Sequence, residues 1–145
     1  MTFRPALVAL DVDGTLVDET NVVAPEVTAA VRRVVDAGVP VILCTGRSWH
    51  SALTVVEQLP FERVEHVCSN GAVTVRYPPL EVVDVLTFNP RPVVDRIMAE
   101  HPSALLAVEV IGEGYRVTDH FPAGELHGTI EVVDVDELAA NDVTR

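Results

Sequence analysis

Residues 6–16, ALVALDVDGTL, begin with five apolar residues that lead directly into two acids, a glycine and a threonine. A short continuous apolar run of this kind is typical of a buried strand in a parallel sheet. Asp11 and Asp13 therefore follow the carboxyl end of that strand, which is the edge where open α/β sheets bind ligands. One residue separates the two acids, so a regular strand would place both carboxylates on one face. Two negative charges this close need a counter-charge, most simply a divalent cation.

Two further apolar strands follow, each separated from the previous one by an amphipathic helix. Pro25 is expected to open the first helix and Gly38 to end it. The second strand is predicted over 39–44 and the third over 64–68, with Ser48 as the N-cap of the helix between them. Strands that alternate with helices predict a parallel sheet with right-handed crossovers in the order 1-2-3. The fold class is therefore α/β, with the polar ends of three strands at one edge of the sheet.

Polar residues follow the second and third strands where these end. Thr45, Gly46 and Arg47 follow the second strand. A hydroxyl donates to a phosphate oxygen without adding charge, and glycine lets the backbone come close to a ligand. Arg47 has two interpretations, a contact with an anionic substrate or an ion pair with a surface acid. Asn70 follows the third strand and is expected to contact substrate or to hold the loops of the site, although a plain turn also explains its Asn-Gly pair.

The composition limits the classes of partner. The chain has 145 residues, a length typical of one ordinary domain or slightly more. Of these residues 48% are hydrophobic, which is enough for a core. Its net charge is -12, with 22 acids against 10 basic residues, and all 10 are arginines. This balance argues against nucleic acid and against anionic membranes as partners. A small phosphorylated substrate is still compatible, because a bound cation and local donors can override the net field.

Cysteine use and hydropathy predict the compartment. Cys44 and Cys68 fall in predicted strands and are expected to be buried as small hydrophobes, with no disulfide framework. The first apolar run breaks at Asp11, so no signal peptide is expected, and no stretch is long enough to span a membrane. We therefore expect a cytoplasmic protein in a reducing compartment.

The character of the sequence changes at Tyr77. Pro78 and Pro79 predict a hinge, so residues 1–77 and 78–145 are expected to form separate domains. In the second domain, strands are predicted over 81–88, 105–111, 115–118 and 129–135, and helices over 92–100 and from 136. The 112–114 turn joins two of these strands in a hairpin. Hairpin-paired strands beside helices predict an α+β unit that differs from the parallel part.

The hexapeptide DVDGTL at 11–16, after an apolar strand, resembles the first motif of the haloacid dehalogenase (HAD) superfamily. The SNGA stretch at 69–72 resembles its Cof-like, type IIB members. The resemblance implies a Rossmann-like, three-layer parallel core with an α+β cap of type C2. It also implies a Mg²⁺-dependent phosphatase that acts on a small phosphorylated metabolite such as a sugar phosphate.

The same resemblance implies roles for individual residues. Asp11 would be the nucleophile and Asp13 the general acid and base, and both would hold Mg²⁺. Thr45 would hold the transferring phosphoryl group, with Gly46, Arg47 and Asn70 around the phosphate or substrate. In this scheme the reaction passes through an aspartyl-phosphate intermediate.

In the family that the chain resembles, the third motif is a lysine and the fourth is a pair of acids that completes the Mg²⁺ site. The chain lacks both of these motifs. It contains no lysine, and residues 141–142 do not make a convincing acidic fourth motif. We therefore expect an incomplete core, in a chain that stops inside the cap. The first strand would then be an exposed apolar edge, which favours self-association.

Two other classes of function stay open at this stage. One is a non-catalytic binding or interaction protein that keeps the shape of the phosphate site, which the missing lysine and acids favour. The other is a phospho-acceptor receiver domain, which also combines clustered acids with a later threonine and lysine. The missing lysine and the hairpin-rich second half argue against a receiver domain.

Overall fold

The computed structural model describes residues 4–145, and the chain divides into two compact units, Met1–Val85 and Leu86–Arg145. The elements of the first unit are β1 (Val8–Leu10), α1 (Pro25–Asp36), β2 (Val41–Leu43), α2 (Trp49–Val56), β3 (Val64–Cys68), β4 (Val73–Tyr77) and β5 (Glu81–Val85). Those of the second unit are α3 (Arg91–Glu100), β6 (Ala107–Val110), β7 (Gly114–Val117), β8 (Thr129–Val132) and α4 (Val135–Leu138).

Three parallel strands of the first unit lie in the predicted order. β1 and β2 pair in parallel along all three of their residues. β3 lies on the other side of β2, through a parallel bridge between Cys44 and Val67. The N–H of Thr45 donates to the carbonyl of Val67 at 3.0 Å, so the strand ends stay together where the polar loops begin. The predicted β-α-β-α-β arrangement is confirmed.

A hairpin absent from the sequence prediction extends this part of the chain. β4 pairs antiparallel with β3, and β5 pairs antiparallel with β4. Pro78 and Pro79 lie in the short turn between these two strands. The prediction that they form a hinge between domains was wrong, because backbone pairing ties β5 to β4. The compact unit accordingly ends after Val85 instead of after Tyr77. The division into a core domain and a cap domain stays a prediction.

The first helix begins and ends as predicted, and the second begins as predicted but ends at Val56, before Leu59, which was expected to lie on it. Pro25 is the first residue of α1, and Gly38 follows its end with a φ of +71°. This left-handed conformation costs glycine little, which is why glycine ends so many helices. Ser48 caps α2, and its hydroxyl accepts a hydrogen bond from the N–H of Ser51 at 3.4 Å.

The two helices pack on one face of the strands. Valines and an alanine of α1 line a cleft together with Val8, Leu10 and Val41 of the strands. On α2, the ring of Trp49 lies 6.0 Å from that of His66 and 5.3 Å from that of Tyr77. The buried residues of this face come from both helices and from the strands: Val31, Val41, Leu43, Ala52, Val55, Val56, Val73 and Val75. Burial of these side chains supplies the main stabilisation of the unit.

The two cysteines lie on opposite faces. Cys68 is fully buried on the helix-covered face, as predicted. Cys44 is exposed, and the prediction that it is buried was wrong. Leu43 faces the helices, so its neighbour Cys44 points to the other face, where Ala9 is also exposed. Neither cysteine is part of a disulfide.

The second unit is an α+β arrangement, as predicted. β6 and β7 form the predicted antiparallel hairpin, and β8 pairs in parallel with β7. An apolar cluster packs the two helices against β6 and against the last residues of the chain. Its members are Val94, Val108, Leu138, Ala139 and Val143. Within residues 4–145, no helix has both the length and the apolar character needed to cross a membrane.

Candidate functional site

The loop after β1 exposes the two acids of the first motif. Val12 is fully buried between them, and its carbonyl accepts hydrogen bonds from three following N–H groups, which closes a tight turn over 12–17. Asp11 and Asp13 are both exposed on either side of it. Gly14 has a φ of +70°, and its N–H donates to the carbonyl of Val17 at 3.0 Å. The turn therefore presents two carboxylates at the end of the first strand.

Arg47 contacts Asp13 directly. Its Nε lies 2.9 Å from Asp13 Oδ2, and its Nη2 lies 2.5 Å from Asp13 Oδ1. This charge-assisted contact lowers the pKa of the Asp13 carboxyl below its ordinary value, against a smaller opposing effect of burial. Hydrogen bonding to Asp13 raises the pKa of Arg47, and the charge of Asp11 adds to that rise. Arg47 therefore pairs with an acid, and that acid belongs to the first motif.

Thr45 lies at the base of the same loop. Its side chain is buried, and its hydroxyl oxygen accepts a hydrogen bond from the N–H of Arg47 at 3.2 Å. Within residues 4–145 the hydroxyl hydrogen has no acceptor. Because a threonine hydroxyl can donate one bond while it accepts others, Thr45 keeps a donor for a ligand.

The loops after β2 and β3 are bonded to each other. The N–H of Ser69 donates to the carbonyl of Arg47 at 2.7 Å, and the N–H of Asn70 donates to the carbonyl of Thr45 at 3.3 Å. A Cβ at Gly46 would lie 2.8 Å from Asn70 Oδ1, so Gly46 leaves room for the Asn70 side chain. Asn70 thus holds the loops together. Ser69 and Asn70 have φ of +52° and +56°, a conformation that costs non-glycine residues free energy and concentrates at functional sites.

Sequence reasoning missed two residues of this site, Asn21 and Gln58. Asn21 Oδ1 accepts a hydrogen bond from Arg47 Nη2 at 2.7 Å. Gln58 Nε2 donates to the carbonyl of Asn21 at 3.0 Å. The sequence around Asn21 predicts only a loop, and the sequence around Gln58 predicts only the end of a helix. Neither stretch indicates these contacts.

The carboxylates fit a magnesium ion only in part. Mg²⁺ prefers oxygen ligands and completes its octahedron with water, and Asp11 and Asp13 offer such oxygens. Arg47 already occupies both oxygens of Asp13. In the part of the chain that the structure describes, no group of three or more His, Cys, Asp or Glu side chains is arranged to hold a metal ion.

Comparison with known proteins shows the family to which the chain is similar. A family model described as haloacid dehalogenase-like hydrolase matches residues 8–109. Over 64 residues the chain is 38% identical to the 5-amino-6-(5-phospho-D-ribitylamino)uracil phosphatase YwtE of Bacillus subtilis (strain 168). This alignment covers 44% of the chain and 21% of YwtE.

Two solved structures share most of the fold. BT1666 from Bacteroides thetaiotaomicron, a phosphatase of the haloalkanoate (HAD) enzyme superfamily, is 28% identical with a TM-score of 0.68, over 90% of this chain and 50% of its own. The subclass IIB sugar phosphatase BT4131 is 16% identical with a TM-score of 0.74, over 96% of this chain and 56% of its own. The chain therefore spans about half the length of these structures, and the predicted α/β fold class is confirmed.

Proposed function

Because the chain belongs to the haloacid dehalogenase-like hydrolase family, as its first motif predicted, we propose that its site hydrolyses phosphate monoesters. The observation that carries the proposal is the contact between Arg47 and Asp13. It joins the end of β1 to the end of β2, with the hydroxyl of Thr45 in the same loop. An anion-binding donor, a nucleophilic carboxylate and a second carboxylate then belong to one site.

The proposed reaction has two steps. In the first, an oxygen of Asp11 forms a bond to phosphorus while the bond from phosphorus to the leaving oxygen breaks, and Asp13 gives that oxygen a proton. In the second, the oxygen of a water forms a bond to phosphorus while the bond from Asp11 to phosphorus breaks, and Asp13 takes a proton from that water. Inorganic phosphate leaves, and the Asp11 carboxylate is regenerated. Hydrolysis of phosphate monoesters without a catalyst is so slow that the site must supply on the order of 20 kcal/mol.

Arg47 favours one protonation state of Asp13. Its contact lowers the pKa of Asp13, which keeps the carboxylate ready to accept a proton from water in the second step. The first step needs the protonated form. A phosphoryl group that competes for the Arg47 guanidinium would weaken this contact and let Asp13 carry that proton.

Donors at the loop ends would hold the phosphoryl oxygens. Thr45 keeps a free hydroxyl hydrogen, and the Nη1 group of the Arg47 guanidinium has no acceptor within the described chain. Preorganised donors of this kind stabilise the charge that develops on phosphoryl oxygens in the transition state. Gly46 and Asn70 would fix the loop that carries them.

Asp11 and Asp13 would hold Mg²⁺, with water as the remaining ligands. When bound, the ion would neutralise negative charge so that a carboxylate can approach a phosphate. The substrate is proposed to be a small phosphorylated metabolite, the class named for YwtE and for the sugar phosphatase BT4131. A cytoplasmic location and self-association through the β1 edge stay predictions.

The proposal is tested by hydrolysis of p-nitrophenyl phosphate with Mg²⁺, on a sample whose intact mass matches the 145-residue chain. We expect turnover that EDTA removes and that Asp11→Asn lowers by about 1,000-fold or more. Asp36→Asn is the matched control, since Asp36 is an exposed acid at the end of α1. Turnover that survives Asp11→Asn would contradict the role of Asp11.

A second candidate is a protein that binds a phosphorylated ligand without turning it over. The observations that favour it are the absence of lysine from the sequence and the lack of a third metal-binding side chain in residues 4–145. A folded chain that binds inorganic phosphate in an NMR titration but hydrolyses no aryl phosphate would support this function.

A further inference from the structure

The Arg47 side chain is only 16% exposed, so its N–H groups need acceptors inside the protein. Asp13 accepts from Nε and Nη2, and Asn21 Oδ1 accepts from Nη2 at 2.7 Å. Within the described residues no other side chain accepts a hydrogen bond from Arg47. The Asp13 side chain is 63% exposed. Because an ion pair with an exposed partner is weak, Asp13 alone holds the Arg47 side chain in place only weakly.

Asn21 is held in place from the other side by Gln58. Gln58 Nε2 donates to the carbonyl of Asn21 at 3.0 Å, and Gln58 Oε1 accepts from the N–H of Val23 at 2.9 Å. The same Nε2 donates to the carbonyl of Thr54 at 2.8 Å, which anchors the amide on α2. One glutamine side chain therefore fixes the backbone on both sides of residue 22.

We propose that Asn21, held by Gln58, is a positioning residue that fixes the Arg47 guanidinium beside Asp13. With Nε and Nη2 occupied, Arg47 presents Nη1 as its free donor for an anionic ligand. Fixing the guanidinium before the ligand arrives avoids the loss of side-chain freedom that binding would otherwise require. This inference rests on the proposed function, in which that ligand is a phosphoryl group.

A purely structural explanation must be separated from this one. Asn21 has a φ of +58°, a conformation that asparagine tolerates better than most residues, so the turn alone is a sufficient reason for an asparagine here. Asn21→Gly keeps the turn and removes the acceptor. Asn21→Asp keeps both the turn and an oxygen for Arg47. Thr20→Ala disturbs the same loop, where Thr20 bonds to Asp18, without removing an acceptor of Arg47.

The test measures the Arg47 Nε–Hε signal by NMR in the full ¹⁵N-labelled chain. We expect exchange of this proton with water to be about fivefold faster in Asn21→Gly, the effect of losing one hydrogen bond of typical net strength. Asn21→Asp and Thr20→Ala should keep the exchange rate of the wild type. Inorganic phosphate, followed on the same signal, should bind about fivefold more weakly to Asn21→Gly.

A folded Asn21→Gly variant with wild-type exchange would overturn the inference, and so would equal acceleration in Thr20→Ala. Gln58→Glu covers the case in which Asn21→Gly does not fold. It replaces the donor to the Asn21 carbonyl by an acceptor, and we expect it to accelerate the same exchange. If the wild type binds no phosphate, the proposed function fails, while the exchange rates still decide whether Asn21 positions Arg47.

Discussion

His66 in β3 accepts a hydrogen bond from the backbone N–H of Leu43 in β2, with 3.1 Å between Leu43 N and the imidazole Nδ1. The imidazole of His66 therefore provides the acceptor for the Leu43 N–H, between two neighbouring parallel strands. The ring is fully buried, with the rings of Trp49 and Phe61 at 6.0 and 5.1 Å. Burial lowers the pKa of His66 from 6.5 to about 4, and within residues 4–145 its Nε2 has no hydrogen-bond partner. The packing therefore needs a neutral imidazole.

The first prediction is a loss of stability in mild acid. The unfolded chain binds a proton at His66 with a pKa near 6.5, whereas the folded chain binds it only near 4. Stability from this site is therefore complete above pH 6.5 and is lost as the pH falls towards 4. We expect the free energy of unfolding in urea to drop by about 3 kcal/mol over this range.

His66→Asn isolates this contribution, because its amide oxygen can accept from Leu43 but does not titrate. The variant should lose most of the pH dependence between 6.5 and 4. The control His101→Gln, at an exposed histidine, should keep the wild-type profile. A steep profile that persists in His66→Asn would place the titrating group elsewhere.

The second prediction concerns the close approach of Gly46 and Asn70. Gly46→Ala introduces a Cβ 2.8 Å from Asn70 Oδ1, so the Asn70 side chain has to move. We expect a loss of about 1 kcal/mol in the free energy of unfolding. Asn70→Gly tolerates the φ of +56° and removes the obstacle, so the double variant should lose less than the two single variants together. Additive effects in urea unfolding would contradict the contact.

The third prediction concerns the pKa of Asp13. Arg47 is the main cause of its lowered pKa, so Arg47→Ala should raise that pKa towards the ordinary value of an aspartate. A pH titration of the Asp13 carboxyl carbon by NMR measures the change. Arg32→Ala is the control, since Arg32 is an exposed arginine of α1. Equal Asp13 titration curves in the wild type and Arg47→Ala would mean that the ion pair does not form in solution.

The fourth prediction is unequal reactivity of the two thiols. Cys44 is exposed and Cys68 is fully buried, so a thiol reagent such as DTNB should modify one cysteine per folded chain and both in urea. Cys44→Ser should abolish the rapid reaction, and Cys68→Ser should preserve it. Rapid modification of both thiols in the folded wild type would show that the face carrying Cys68 opens readily.

Local patterns were sufficient for several features. The apolar run before Asp11 predicted the first strand, Pro25 and Gly38 the ends of α1, and Ser48 the cap of α2. These signals act within a few residues, through backbone conformation and capping bonds, so they can be read without the fold. The order of the parallel strands also followed, because short helical connections allow few arrangements.

The hairpin of β4 and β5 was missed because strand pairing is not local. Prolines 78 and 79 resemble a linker in the sequence, and only the pairing of β5 with β4 shows that they lie in a turn. Cys44 was misplaced for a related reason, since an apolar strand does not reveal which of its faces the helices cover.

The sequence by itself determined the elements of the α/β unit and the residues that line the end of its sheet. Only the tertiary structure decided that Arg47 pairs with Asp13, 34 residues away, and that Asn21 and Gln58 join them from 26 and 37 residues apart. Local patterns depend on the conformation of neighbouring residues. These contacts form between residues that come together only when two helices pack on one face of the strands.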